Sequence, residues 1–205
     1  MTTRVIDVFA DVGCPFTHVG LRRFVDRRAE LGRTDVRLHV KAWPLEIVNG
    51  HPLDPTFIAE EVDDIRNQAA GDLFRGFDPA AFPATSVPAL ALTAAAYEVG
   101  EDAGERVSLR VRELLFEQGV DVADEAVLRA VADEHGVAWA DVDEARAHDE
   151  DEEGVRRGVV GSPHFFTPQG DFFCPALDVH RDDAGHLLVR TDPGGFERFL
   201  STCFG

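Results

Sequence analysis

From residue 54 to about residue 151 the chain offers no convincing strand, yet strand-forming segments lie on either side. A chain divided in this way folds as an α/β unit interrupted by a helical block. Ahead of the block, residues 4–9 alternate around Val5, Asp7 and Phe9, with Ile6 and Val8 also apolar, as in a largely buried strand. Residues 15–31 carry Val19, Phe24, Val25 and Leu31 at helical spacing and stop at Gly32. Residues 36–40 form a second β-rich run, closed by Trp43-Pro44. Strand, helix and strand in this order make two parallel strands with a crossover helix.

Inside the block, helices are predicted over 55–69, 87–99, 103–118, 125–135 and 139–148. Asp124 reads as an N-cap, and Gly100, Gly119 and Gly136 as stops. Strand character returns at 163–167 and 171–173, a hairpin turning at Pro168-Gln169-Gly170, and again at 186–190. A final helix over 193–203 places Phe196, Phe199 and Leu200 on one face. There is no internal repeat and no long linker; the acidic run 148–153 is the nearest thing to low complexity.

The net charge of −18 argues against nucleic acid or an anionic membrane surface as a partner. No apolar run is long enough for a membrane span. The three cysteines, Cys14, Cys174 and Cys203, are too few for a disulfide scaffold. With no secretory signal in view, they read as reduced thiols in a cytoplasmic protein. The acidic clusters at 60–64 and 149–153 read as solvated faces, neither Cys174 nor Cys203 has zinc-site spacing, and no metal is expected. Nothing in the sequence sets an oligomeric state.

Cys14-Pro15-Phe16-Thr17 lies where the first strand becomes the first helix. A cysteine at a helix start sits near unpaired N–H groups and the positive end of the dipole, which predicts a lowered thiol pKa and makes Cys14 the most reactive of the three. Pro15 suits the first helical position because its missing N–H has no partner to lose. Far along the chain, the segment from Gly158 to Phe166 (Gly-Val-Val-Gly-Ser-Pro-His-Phe-Phe) puts Pro163 at the start of a strand.

Together with Asp11-Val-Gly-Cys-Pro-Phe, the segment 86–100 with its Ala-Tyr-Glu stretch and Leu115-Phe-Glu-Gln-Gly, these pieces span nearly the whole chain. The sequence resembles the DsbA-like thioredoxin-fold family, in the branch with 2-hydroxychromene-2-carboxylate isomerases and kappa-class glutathione transferases. The resemblance implies a thioredoxin-like domain from residues 1–53 and 152–205 and a helical insertion at 54–151. It also implies a cis-proline loop at Ser162-Pro163 beside Cys14. Pro15, Phe16, Ser162 and Pro163 would then face a substrate, and Cys14 and Thr17 would carry the chemistry.

The chain departs from the family at one position. Where disulfide oxidoreductases of the family resemble Cys-Pro-x-Cys, this chain has Thr17, so the motif holds no resolving thiol. Glutathione-dependent relatives typically carry Ser at the first position, whereas this chain keeps Cys14. The leading expectation is a thiol-disulfide oxidoreductase acting through Cys14 on a disulfide or small-molecule substrate. It would have no tightly bound cofactor, and a low-molecular-weight thiol would resolve the adduct. The alternatives are an isomerase or transferase that uses a glutathione-like thiol, and a non-catalytic binding protein. His18, one turn past Cys14, reads as a packed helix residue, Cys174 as a small buried hydrophobe with a remote resolving thiol as the sharper alternative, and Trp43-Pro44 equally as cleft or core.

Overall fold

The computed structural model describes residues 3–183 and 186–205. Met1 and Thr2, with which the expected first segment begins, lie outside the described residues. Strand β1 (Arg4–Ala10) pairs in parallel with β2 (Val36–Ala42), and helix α1 (Pro15–Glu30) crosses between them. After the helical block, β3 (His164–Thr167) pairs antiparallel with β1, and β4 (Gly170–Phe173) antiparallel with β3. The sheet order is β2-β1-β3-β4. The closing helix α8 (Pro193–Phe204) packs Phe199 and Leu200 with Phe24 of α1 and Phe165 of β3 in one buried cluster. This is a thioredoxin-like core, and the helices of the block form a large all-helical insertion.

A short helix that the spacing did not predict, α2 (Leu45–Asn49), precedes the block, which comprises α3 (Pro55–Gln68), α4 (Val87–Val99), α5 (Glu101–Gln118), α6 (Glu125–His135) and α7 (Glu144–Arg157). The expected N-cap at Asp124 is present: its carboxylate accepts the Ala126 N–H. Two further local readings change. The helix expected over 139–148 is a 3-10 turn at Trp139–Asp141 followed by α7, which Asp143 caps and which runs through the acidic segment. Its buried residues are Ala147 and Gly154, too small to show as an apolar stripe. A Cβ at Gly154 would stand 2.6 Å from the Trp43 ring, so the glycine is what lets α7 approach the sheet. The chain also forms β5 (Leu177–Arg181), which the sequence reading lacked. It pairs with β6 (Leu187–Thr191) as a separate ribbon, one residue out of step with the strand expected at 186–190.

The insertion is fastened to the sheet by its open edge. An edge strand presents unpaired N–H groups that need partners. On β2 these belong to alternate residues, and three helices answer them. Glu105 of α5 accepts from Leu38 N at 2.7 Å, the Tyr97 hydroxyl of α4 from Val40 N at 2.8 Å, and Glu150 of α7 from Ala42 N at 2.7 Å. Tyr97 also donates to the Leu38 carbonyl at 3.0 Å. Its ring lies so close to α5 that Gly104 leaves no room for a Cβ.

Tyr97→Phe removes both hydroxyl bonds and leaves buried backbone groups unpaired, a loss of about 1–3 kcal/mol. Urea unfolding of the variant should show a lower midpoint at an unchanged slope. An unchanged midpoint would show that the edge does not need this hydroxyl.

Candidate functional site

Cys14 is the N-cap of α1 and Pro15 its first helical residue, so the strand-to-helix turn places the thiol at the C-terminal end of β1. The Ser162–Pro163 peptide is cis, as the resemblance implied. The two segments meet: Cys14 Sγ donates to the Ser162 carbonyl at 3.2 Å. Ser162 Oγ lies 2.7 Å from Thr17 Oγ1 and accepts from Asp11 N at 2.9 Å. Cys14, Thr17, Ser162 and Pro163 therefore stand together, with Cys14 only 4% exposed and Thr17 fully buried. Phe16 is half-buried and packs against the core of the insertion. His18 is a packed residue, its Nε2 lying 2.7 Å from Glu117 Oε1 and its ring against those of Phe74 and Phe116. His164 is likewise engaged, with the Val160 amide and Asp171.

Behind the thiol is a polar node that sequence reasoning passed over. Asp11 is completely buried. Its carboxylate accepts from Gly13 N and Leu45 N, each at 2.6 Å, and from Ser86 Oγ at 3.0 Å. Its carbonyl accepts from the buried Arg112 guanidinium at 3.1 Å, which also donates to the carbonyl and hydroxyl of Ser108. The available signal was faint: a carboxylate three residues ahead of a candidate active cysteine, and an Arg four residues after a Ser on one helix face.

The electrostatics correct one expectation. Burial pushes the Cys14 thiol above its ordinary value of 9.0, against hydrogen bonding from Thr17 and Ser162, and the Asp11 charge adds to the rise. The helix-start argument counted the donors and omitted desolvation, which here outweighs them. Burial likewise raises Asp11 against its donors and drives Arg112 down to about 10. Cys174 and Cys203 are each pushed up to about 12, again chiefly by burial.

Cys14 does not line the main open cleft near its loop. That cleft, of about 660 Å³, lies between the end of β4, the β5-β6 ribbon and the start of α8. Arg190 and Arg198 bring positive charge to it, Asp171, Asp178 and Asp192 negative charge, and Cys174 forms part of its wall. The cleft and the thiol site share one loop, because Cys174 N donates to the Pro163 carbonyl at 2.9 Å. Cys203 is buried in the other core, between sheet and α8.

Comparison with known proteins gives a family and a fold. The model of the DSBA-like thioredoxin domain matches residues 5–181. No curated protein matches the sequence significantly. Among solved structures, the chain is similar to a putative protein disulfide isomerase from Nitrosomonas europaea, at 14% identity and TM-score 0.63, covering 98% of this chain and 97% of that one. It is similar to a 2-hydroxychromene-2-carboxylate isomerase at 15% identity and TM-score 0.61, covering 82% and 88%. It is also similar to the cytosolic disulfide reductase DsbM from Pseudomonas aeruginosa, solved with GSH, at 15% identity and TM-score 0.59, covering 97% and 98%. At these identities the likeness shows the fold.

Since the Cys14 thiol is raised, its alkylation rate in the folded protein should climb through pH 9 without a plateau at neutral pH. Thr17→Ala removes a donor that lowers it and should slow alkylation further at any fixed pH. A plateau below pH 8, read by iodoacetamide labelling and peptide mass, would contradict the desolvated thiol.

Proposed function

The chain belongs to the DSBA-like thioredoxin domain family, and we propose that within it this protein works with a low-molecular-weight thiol, as a thiol-cofactor-dependent isomerase or transferase. The observation that carries the reading is the polar cleft beside the Ser162-Pro163 loop. Its volume of about 660 Å³ falls in the range of small-molecule sites. Its walls mix two arginines with three aspartates, which suits a zwitterionic thiol peptide such as glutathione. Arg190 and Arg198 would hold carboxylates through charge-assisted bonds, and an aspartate would hold the ammonium. The solved structures of this fold include a 2-hydroxychromene-2-carboxylate isomerase and a disulfide reductase with GSH, which supports the same reading.

A second observation favours this chemistry over a dithiol cycle run within the Cys14-Pro15-Phe16-Thr17 motif. Thr17 occupies the place of a resolving thiol, and Cys14 is desolvated and already donating a hydrogen bond. Cys14 then acts as a proton donor fixed at the Ser162 carbonyl, and the Thr17 hydroxyl stands beside it. A bound thiol supplies a nucleophilic sulfur for an electrophilic carbon. The protein's part is to orient that sulfur beside Cys14 and Thr17, where the Cys14 S–H, turning from the Ser162 carbonyl, and the Thr17 hydroxyl would stabilise its negative charge. Pro15, Ser162 and Pro163 would shape the wall against which the thiol lies, with Phe16 tying that wall to the insertion.

Calorimetric titration with reduced glutathione at pH 7 should show saturable binding to the wild type without a covalent adduct. Arg190→Ala and Arg198→Ala should each weaken it by about tenfold, and Cys14→Ser should keep it. Absence of saturable binding would overturn the proposal, as would attachment only through a covalent bond to Cys14.

A further inference from the structure

We infer that Cys174 is the redox partner of Cys14: the second thiol missing from position 17 is supplied across the Ser162-Pro163 loop from the end of β4, so that the chain can close an internal disulfide when it meets a low-molecular-weight disulfide. This second activity goes beyond the proposed cofactor-dependent chemistry and does not rest on it.

Two hydrogen bonds to neighbouring carbonyls set the geometry. Cys14 Sγ donates to the carbonyl of Ser162, and Cys174 N donates to the carbonyl of the next residue, Pro163. Both cysteines are thus tied to consecutive residues of one loop. They are also close enough to sense each other, because after burial the negative charge of Cys14 is the larger cause of the raised Cys174 thiol. Cys174 follows the last residue of β4 with φ 45°, a left-handed backbone that favours glycine and that side chains seldom adopt. The chain nonetheless carries a thiol there, on the wall of the large cleft and 9% exposed. Cys203, in the other core, has no such relation to the loop.

The reaction balances without a further oxidant. Cys14 attacks first, because Thr17 and Ser162 both offer hydrogen bonds to its thiolate. As thiolate, it forms a bond to one sulfur of the small disulfide. The original S–S bond breaks, and one small thiolate leaves to take up a proton. Cys14 now carries no charge, which removes the repulsion on Cys174. The Cys174 thiolate, its proton released to solvent in the cleft, attacks Cys14 Sγ, and the second small thiolate leaves. Two protein thiols have been oxidised and one disulfide reduced to two thiols. Two molecules of a low-molecular-weight thiol reverse the sequence.

The test treats the reduced full chain with hydroxyethyl disulfide at pH 8.5, then alkylates and reads intact and peptide masses. Wild type should lose two hydrogens with no lasting adduct, yield a Cys14–Cys174 cross-linked peptide, and leave Cys203 as the alkylated residue. Cys174→Gly, which suits the backbone at that position, and Cys174→Ser should both accumulate the hydroxyethyl adduct on Cys14. The inference is overturned if wild type holds the adduct as fully as the variants do, if Cys203 provides the partner, or if neither Cys14 nor Cys174 reacts. None of these results bears on glutathione binding, so a failure here is distinguishable from a failure of the proposed function.

Discussion

The carboxylate of Asp11 is the point on which the site depends. It sits in the turn between β1 and α1, out of reach of water, and takes three donors from three places: Gly13 of its own turn, Leu45 at the start of α2 and Ser86 at the start of α4. Hydrogen bonds to a charged group contribute about 1.5–3 kcal/mol each, and a buried carboxylate without them would be driven to neutrality. Those donors hold the turn in one conformation, and Cys14 is three residues on. The main chain of Asp11 adds the Ser162 hydroxyl and the Arg112 guanidinium. Burying two charges costs desolvation that their attraction does not fully return, so the pair is better understood as fixing position than as adding stability.

Helix α5 carries this arrangement across the molecule. Glu105, Ser108 and Arg112 follow at three- and four-residue steps, so they share one face. Glu105 closes the edge of β2 and also pairs with Arg28 of α1, while Arg112 reaches the Asp11 carbonyl. Further along, Glu117 pairs with His18 of α1 and accepts the amides of Phe74 and Arg75. Burial works to raise Glu117, but these bonds outweigh it and hold the carboxyl below its usual range. One helix thereby ties the sheet edge, the first helix and the thiol turn into a single frame, and the insertion becomes part of the site's foundation.

The frame was legible in the sequence where hydrophobic spacing and capping residues write it. Strand β1, helix α1, strand β2 and the long helices of the insertion follow from apolar periodicity, Asp124 and the glycine stops. The meeting of Cys14 with Ser162-Pro163, nearly a hundred and fifty positions apart, was legible only through resemblance, because spacing along the chain carries no information about it. Other features escaped. Asp11 and Arg112 are charged residues whose burial depends on partners scattered over five segments, and a charge reads by default as surface. Helix α7 hides its contact face in Ala147 and Gly154. Strand β5 rests on Leu177 and Val179, too few apolar residues to stand out beside Pro175. The raised Cys14 pKa escaped for a related reason: helix position can be read from sequence, and depth cannot.

A crystal structure of the complex with reduced glutathione would show whether the cleft and the Cys14 turn form one site joined by the Ser162-Pro163 loop. The glutathione carboxylates should sit at Arg190 and Arg198, with the sulfur within hydrogen-bond distance of Cys14 or Thr17. Glutathione seated with its sulfur away from that loop, or bound at another face of the protein, would contradict a single joined site.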